Sequence, residues 1–277
     1  MSTKAKVIFI SITVCVLSFW AFITIVPLYW MVIGSFQDSM ASASFKPQMI
    51  PDIWSIAPYE RFFSKTMAIK WLLNSLFVSS VLTVSNLLFA SLAGYAFAKL
   101  KFPGSNAIFW VLLGTMMIPA QVTLIPLYVL VINVFDLADT YTAMIVPTLV
   151  SVGNIFLMKQ YMSTLPTSLI HAARIDACSE FGIFSKVILP MAKPGLAVLA
   201  IFTFVANWND FFWPFLVTRS NDMRTIQVGL ASFKFAESTD YGAIMAGATI
   251  GALPMIILFF SLQKYFLQGI TIGAVKG

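Results

Sequence analysis

The chain has 277 residues, of which 59% are hydrophobic and 15% aromatic, against 10% charged. Soluble domains carry about 45–50% apolar and about 25% charged residues, so an ordinary globular protein is excluded and the chain belongs in a bilayer. The formal net charge of +6 would suggest nucleic acid in a soluble chain, but these cations lie between apolar runs, as loops facing anionic lipid and cytoplasm do, and no nucleic-acid partner is expected.

Five stretches lack any charge: Val7 to Gln37, Trp71 to Ala98, Phe102 to Phe135, Thr140 to Met158 and Tyr241 to Gln263. A sixth, Pro194 to Thr218, is broken only by Asp210. A membrane helix needs about 20 residues, so each can span. The expected fold is all-α, a single transmembrane domain over 1–277 with spans at about 8–33, 71–98, 107–131, 140–160, 194–217 and 242–265 and a cytoplasmic helix-turn-helix loop at about 161–193.

The first span follows Lys4 and Lys6, but its apolar body far exceeds the roughly 7–15 residues of a signal-peptide core, so it reads as an uncleaved anchor. Cys15 lies within it and Cys178 within the long loop, neither with ligand-like neighbours, so no zinc site or disulfide framework is expected. The outer loop from Gly34 to Lys70, with Trp54, Pro58 and Tyr59, is long enough to meet a delivery protein. Span two carries a small-residue stripe, Ala90, Gly94 and Ala98, expected to be a packing seam. In span three, Gln121 and Thr123 stand beside Pro119 and Pro126, where proline frees carbonyls that can line a cavity.

In the loop after span four, Pro166 precedes Thr167 and Ser168, a plausible start for a short helix. Ala173 and Ala177, four apart, make a face that another surface could approach closely, with Leu169, Ile170 and Arg174 on a second face. This predicts a docking helix running through Ala177 with right-handed dihedrals. Phe181, Phe184 and Ile188 then form an apolar stripe suited to packing against membrane helix ends, until Pro190 and Pro194 stop the run. An ordinary amphipathic connector lying in the interface would show the same pattern.

Span five places Asn207, Trp208, Asn209 and Asp210 near or just outward of the midplane, where polar groups are costly and usually line a pathway. Amide, carboxylate and indole suit a sugar, whose hydroxyls take hydrogen bonds and whose ring face takes an aromatic platform. The same residues could equally join helices by hydrogen bonds. Phe211, Phe212, Trp213 and Phe215 fit a lipid-facing or interfacial position. Span six carries a second small-residue stripe, Ala243, Gly247 and Gly251.

Six spans put both termini on one side. With the N-terminus inside, ten of the 17 cations are cytoplasmic (Lys4, Lys6, Lys99, Lys101, Lys159, Arg174, Lys186, Lys193, Lys264 and Lys276) and seven are outside, so the predicted orientation has both termini cytoplasmic. Of the acids only Asp176 and Glu180 fall on inner segments.

The loop residues Ala172, Ala173, Asp176, Ile188, Leu189 and Pro190 match the pattern E-A-A-x-x-D-G-A followed by I/L-x-L-P, and so resemble the "EAA" loop of bacterial ABC importer permeases. "MMIPAQVTLIPLY" (116–128), "NWNDFFWPF" (207–215), "VGLASF" (228–233) and "QGITIGAVKG" (268–277) look like the second permease of carbohydrate uptake systems of the maltose-transporter type, so the likeness covers nearly the whole chain. The resemblance implies a second permease sharing one path, two cytoplasmic ATPase subunits gripping the two loops, an extracellular solute-binding protein and a carbohydrate substrate, in a bacterial inner membrane. It also implies that His171, Ala172, Ala173, Arg174, Asp176, Ala177 and Pro190 couple to the ATPase. Two departures from the pattern bear on the argument: its Glu is His171, which cannot close a capping box equally well, and its Gly is Ala177. Alanine there argues against a left-handed backbone and for close approach.

No G-x-x-x-x-G-K-[ST] occurs, so the phosphate cradle must come from another polypeptide; no cofactor is expected in this chain, with ATP and magnesium on the partner subunits. His171 is the lone imidazole and no serine or cysteine elbow accompanies it, so no catalytic residue is expected. A secondary-transporter half or a membrane-embedded enzyme remain the alternative classes. External Arg219 and Arg224 leave room for a phosphorylated or uronic sugar.

Overall fold

The structure, a computed structural model, describes residues 3–38, 49–236 and 240–274. Lys46, Glu237 and Lys276 of the charge balance, and the last three residues of the 268–277 motif, lie outside the described residues.

Among the described residues there are helices and no strands. In a bilayer every backbone group must be satisfied within the segment, which long apolar runs achieve as helices. Three of them are continuous: α1 (Thr3–Gly34), α3 (Ala68–Lys99) and α14 (Tyr241–Ala274), with the short α2 (Ala57–Lys65) between the first two.

The remaining spans are broken. Span three is α4 (Ser105–Thr115) and α5 (Ala120–Tyr128), the latter continued by a π turn over Val129–Val134, with an 86° bend at the break before Ala120. Pro119 causes it: its extended backbone, ψ 132°, ends one helix and starts the next. Span four is α6 (Tyr141–Ile145), extended by a 3₁₀ turn over Val146–Thr148, and α7 (Val152–Ser163), bent by 45°. The loop holds α8 (Thr167–Ile175), α9 (Glu180–Ile183), a π turn over Phe184–Ile188 and α10 (Leu189–Met191). The stretch expected as span five holds α11 (Lys193–Trp208), then a break and α12 (Phe212–Val217); α13 (Ile226–Ala236) precedes α14.

Pro190 was expected to stop the second loop helix, but helical structure runs through it to Met191 and turns by 78° before α11. Pro190 falls in the first turn of α10, just after a π turn, where a missing N–H is best tolerated.

The chain clusters into two compact units. The first comprises Met1–Ile69 and Gly229–Leu253. Here Phe62 is fully buried, its ring edge-on to Phe233 at 5.4 Å, and Gly247 lies against Phe62 and Leu230 so closely that a Cβ would stand 2.6 Å from both. The seam expected at Ala243 and Gly247 is therefore present. Arg61 binds Asp240 through two nitrogens, at 2.8 and 3.2 Å, and Asp38 at 2.9 Å, while Asp240 also accepts from the Ala243 N–H at the start of α14.

The second unit comprises Lys70–Val228 and Pro254–Gly277 and has two apolar centres. One joins Val78 and Leu82 of α3 to Val131, Met144, Trp213 and Val217, with the Trp213 Nε1 donating to the Ala143 carbonyl at 2.9 Å. The other joins Ala90 and Tyr95 of α3 to Met158 and Met162 of α7, the loop helices and Leu199 of α11. At Gly94 a Cβ would stand 2.7 Å from the Met158 Cβ, which is the reason for the small stripe on span two.

Candidate functional site

The loop helices are built onto the second apolar centre from inside. Ile170 and Ala173 of α8 and Ile183, Phe184 and Ile188 beyond it are all buried in this chain's own core. Two expectations change. Ala173 does not offer a free docking face, because its 8% exposure places it against its own chain, and Ile170 faces the same way. Of the stripe Phe181, Phe184 and Ile188, the last two pack inward while Phe181 stands 71% exposed. A helical repeat of small or apolar residues reads the same whichever chain presses on it.

Residue 177 is a further correction. The helix ends at Ile175, and Ala177 has φ +56°. The Cys178 N–H reaches back to the Ala173 carbonyl at 3.0 Å and the Ala177 N–H to Arg174 at 3.1 Å, the paired bonds of a Schellman stop with residue 177 in the left-handed position. The glycine of the family pattern thus answers a backbone demand, and alanine meets it with strain.

The outward face of α8 and its turn carries His171, Ala172, Arg174, Asp176 and Ala177, with Ile175 85% and Leu169 40% exposed; Pro190 is exposed further on. Glu180, not singled out by spacing, fastens the two loop helices: its carboxylate takes the Arg174 Nε at 2.7 Å and the Tyr95 hydroxyl of α3 at 3.1 Å. The Arg174 guanidinium holds Glu180 below the usual carboxylate range. Lys99, at the end of α3, donates to the Leu165 carbonyl at 2.6 Å, just ahead of α8. The Ser179 Oγ accepts from the Gly182 N–H at 3.1 Å and caps α9.

The four polar residues of span five sit at the break between α11 and α12. Asp210 Oδ1 accepts from the N–H groups of Phe212 and Trp213, at 3.0 and 3.4 Å, so this carboxylate starts α12. The Asn207 amide returns to the Thr203 carbonyl at 2.7 Å. Trp208 is buried and stacks on Phe204 at 5.7 Å. Asn209 is exposed, with contacts of 3.4 Å to the Met255 sulfur and 3.5 Å to Gln227. Gln121 and Thr123 are exposed on the first turn of α5, the Thr123 hydroxyl bonded to the Ala120 carbonyl at 3.1 Å. A separate groove of about 550 Å³, between α3, α11 and the second half of α14, is lined by apolar and hydroxyl side chains, among them Leu76, Thr83, Phe204 and Pro254, and by none of these candidates.

The segment after α12 is held firmly. Asp139 Oδ1 accepts from the backbone of Arg219 and Ser220, at 2.6 and 2.9 Å, and Asn74 Nδ2 donates to the carbonyls of Asp222 and Arg224, at 2.8 and 2.9 Å. Partial burial pushes Asp139 upward, but those two backbone N–H groups outweigh it and hold the carboxylate below its ordinary value.

Residues 86–272 match the family described as the binding-protein-dependent transport system inner membrane component. The chain is 38% identical over 263 residues to the arabinooligosaccharides transport system permease protein AraQ of Halalkalibacterium halodurans, which covers 94% of both chains. It is 33% identical over 265 residues to the lactose transport system permease protein LacG of Rhizobium radiobacter, again with 94% of both covered. A crystal structure of a bacterial ABC transporter involved in the import of the acidic polysaccharide alginate contains a chain with the same fold, with a TM-score of 0.83 over 96% of this chain and 99% of that one, at 23% identity. Long apolar helices, a loop built on an internal core and these matches converge: the chain belongs to the inner-membrane components of binding-protein-dependent transport systems and is a permease of that family.

Proposed function

We propose that the chain is one of two permeases enclosing the path of an ATP-driven importer for a sugar or oligosaccharide. The loop about residues 161–193 seats on one of two cytoplasmic ATPase subunits, which bind ATP and magnesium, and a solute-binding protein delivers substrate from outside. Both termini face the cytoplasm. The observation that carries the ATPase contact is the bare apolar pair Ile175 and Phe181, 85% and 71% exposed, on a face whose opposite side is already packed. The sugar rests on the relatives, which are named for arabinooligosaccharide and lactose transport. Asn207, Asn209 and Asp210, with Gln121 and Thr123, supply amide, carboxylate and hydroxyl groups for its hydroxyls, and Trp208 backs them through its stack on Phe204.

The test is reconstitution with the second permease, the ATPase and the binding protein, read as ATP-dependent uptake from a panel of oligosaccharides. Ile175→Glu, at a position 85% exposed, should insert normally yet fail to retain the ATPase; full retention would refute the seating. For orientation, in a background without Cys15 and Cys178, a cysteine at Ser220 should react with an impermeant reagent from outside and one at Ser185 should not.

A further inference from the structure

Asn86 lies in the middle of α3, 2% exposed. It faces the break in span four, where the helix stops at Thr148 and restarts at Val152. Such a break strands backbone groups that have no water to turn to, and here one side chain meets both ends. Asn86 Nδ2 donates to the Leu149 carbonyl at 3.1 Å, and Asn86 Oδ1 accepts from the Ser151 N–H at 2.9 Å. The same oxygen accepts from Asn154 Nδ2 at 2.9 Å, and Asn154 donates its other hydrogen to the Thr203 hydroxyl of α11 at 3.1 Å. Thr203, 5% exposed, is also the residue whose carbonyl holds the Asn207 amide. A continuous polar chain therefore runs from α3 through the break in span four to the first polar residue of the span-five break.

Position gives this chain its consequence. The segment that Asn86 anchors, α7, leads directly into the loop at Thr164, and α11 leads out of it. We infer that Asn86 is a positioning residue for transport: by fixing the span-four break to α11 it sets where the span-five polar residues stand when the loop moves. The inference rests on the importer reading above. Asn86 touches no substrate in this scheme and acts through Asn154 and Thr203. Ser85 bonds the Leu149 carbonyl independently, at 2.8 Å, so losing Asn86 does not strip the break of every partner.

The experiment uses the complete transporter in proteoliposomes with saturating binding protein and reads sugar moved per ATP hydrolysed, for each assembled complex. A residue needed only for folding lowers the amount of complex and leaves that ratio unchanged. Asn86→Leu should lower the ratio about fivefold, with ATP hydrolysis continuing. Thr203→Val, nearly isosteric, cuts only the last link and should lower it in the same direction, whereas Thr203→Ser, which keeps the hydroxyl, should stay at the wild-type value. The double variant Asn86→Leu with Thr203→Val should match Asn86→Leu alone, because both cut one chain. If Asn86→Leu fails to assemble, Thr203→Val against Thr203→Ser decides. A wild-type ratio in Thr203→Val, or losses that multiply in the double variant, would overturn the inference. Absence of ATP-dependent uptake by the wild-type complex would instead overturn the importer reading.

Discussion

Ala177→Gly should make the loop more stable, although it removes a side chain. At φ +56° the alanine Cβ crowds the backbone, a penalty of about 1–2 kcal/mol for an L-residue in the left-handed region. Glycine removes that penalty but gives the unfolded chain more freedom, returning about 0.4–1 kcal/mol. The difference leaves about 0.5–1 kcal/mol in favour of glycine, or roughly a two- to fivefold shift in the local opening equilibrium. The reporter is the Cys178 N–H, whose bond to the Ala173 carbonyl closes the turn and breaks when it opens. Hydrogen exchange of the 172–182 segment, compared in matched complexes, should slow at Cys178 by that factor. Ala177→Val, β-branched at the same dihedral, should speed it. Unchanged or faster exchange in the glycine variant would refute the claim that residue 177 is strained.

Arg61→Ala withdraws the guanidinium from Asp240, whose side chain has no exposed surface, and should cost about 3–5 kcal/mol, seen as earlier thermal inactivation; Arg61→Lys should recover part of it. Glu180 is held down by Arg174, so their pairing is fully present above the ordinary glutamate range and is lost as pH falls through the depressed value. Protease nicking of the turn between α8 and α9 should rise as pH falls below the ordinary glutamate range, and Glu180→Gln should remove that dependence. Asp210→Ala should lower uptake in an assembled complex, while Asp210→Asn, which keeps an acceptor for the Phe212 N–H, should restore it; equal loss in both would assign the role to the charge instead of the cap.

The long apolar helices were legible because the apolar runs are long and the charges fall between them, and Pro166 and Pro119 stand just ahead of helices that begin at Thr167 and Ala120. What failed was the sense of direction. Ala173 and Ile170 carry the right spacing for a face, but period alone does not say whether that face meets its own core or another chain. Ala177 misled because alanine normally argues for a right-handed residue; the signal lay in the surrounding pattern, where the family uses glycine. Glu180 sits six residues from Arg174 across a turn, outside any helical period, and its second partner Tyr95 is 85 residues away.

The polar residues of the spans show why sequence placed them well and read them incompletely. A polar side chain in an apolar run signals a pathway, a helix contact or a helix break, and those readings are not exclusive. Asp210 caps the restarted helix α12 with Oδ1, and Asn86 joins the two ends of span four. Each break they serve interrupts a run that composition alone reads as continuous, and each is made tolerable in lipid by side chains that take up the freed backbone groups, Asp210 at one and Asn86 with Ser85 at the other. At the break after α11 the same interruption leaves Asn209 exposed beside Asp210, so the residue that satisfies the backbone also fixes where its exposed neighbour stands. In the proposed path the helix-starting role of Asp210 and its role toward substrate fall on one carboxylate, and separating them requires the asparagine variant, which keeps the acceptor and removes the charge.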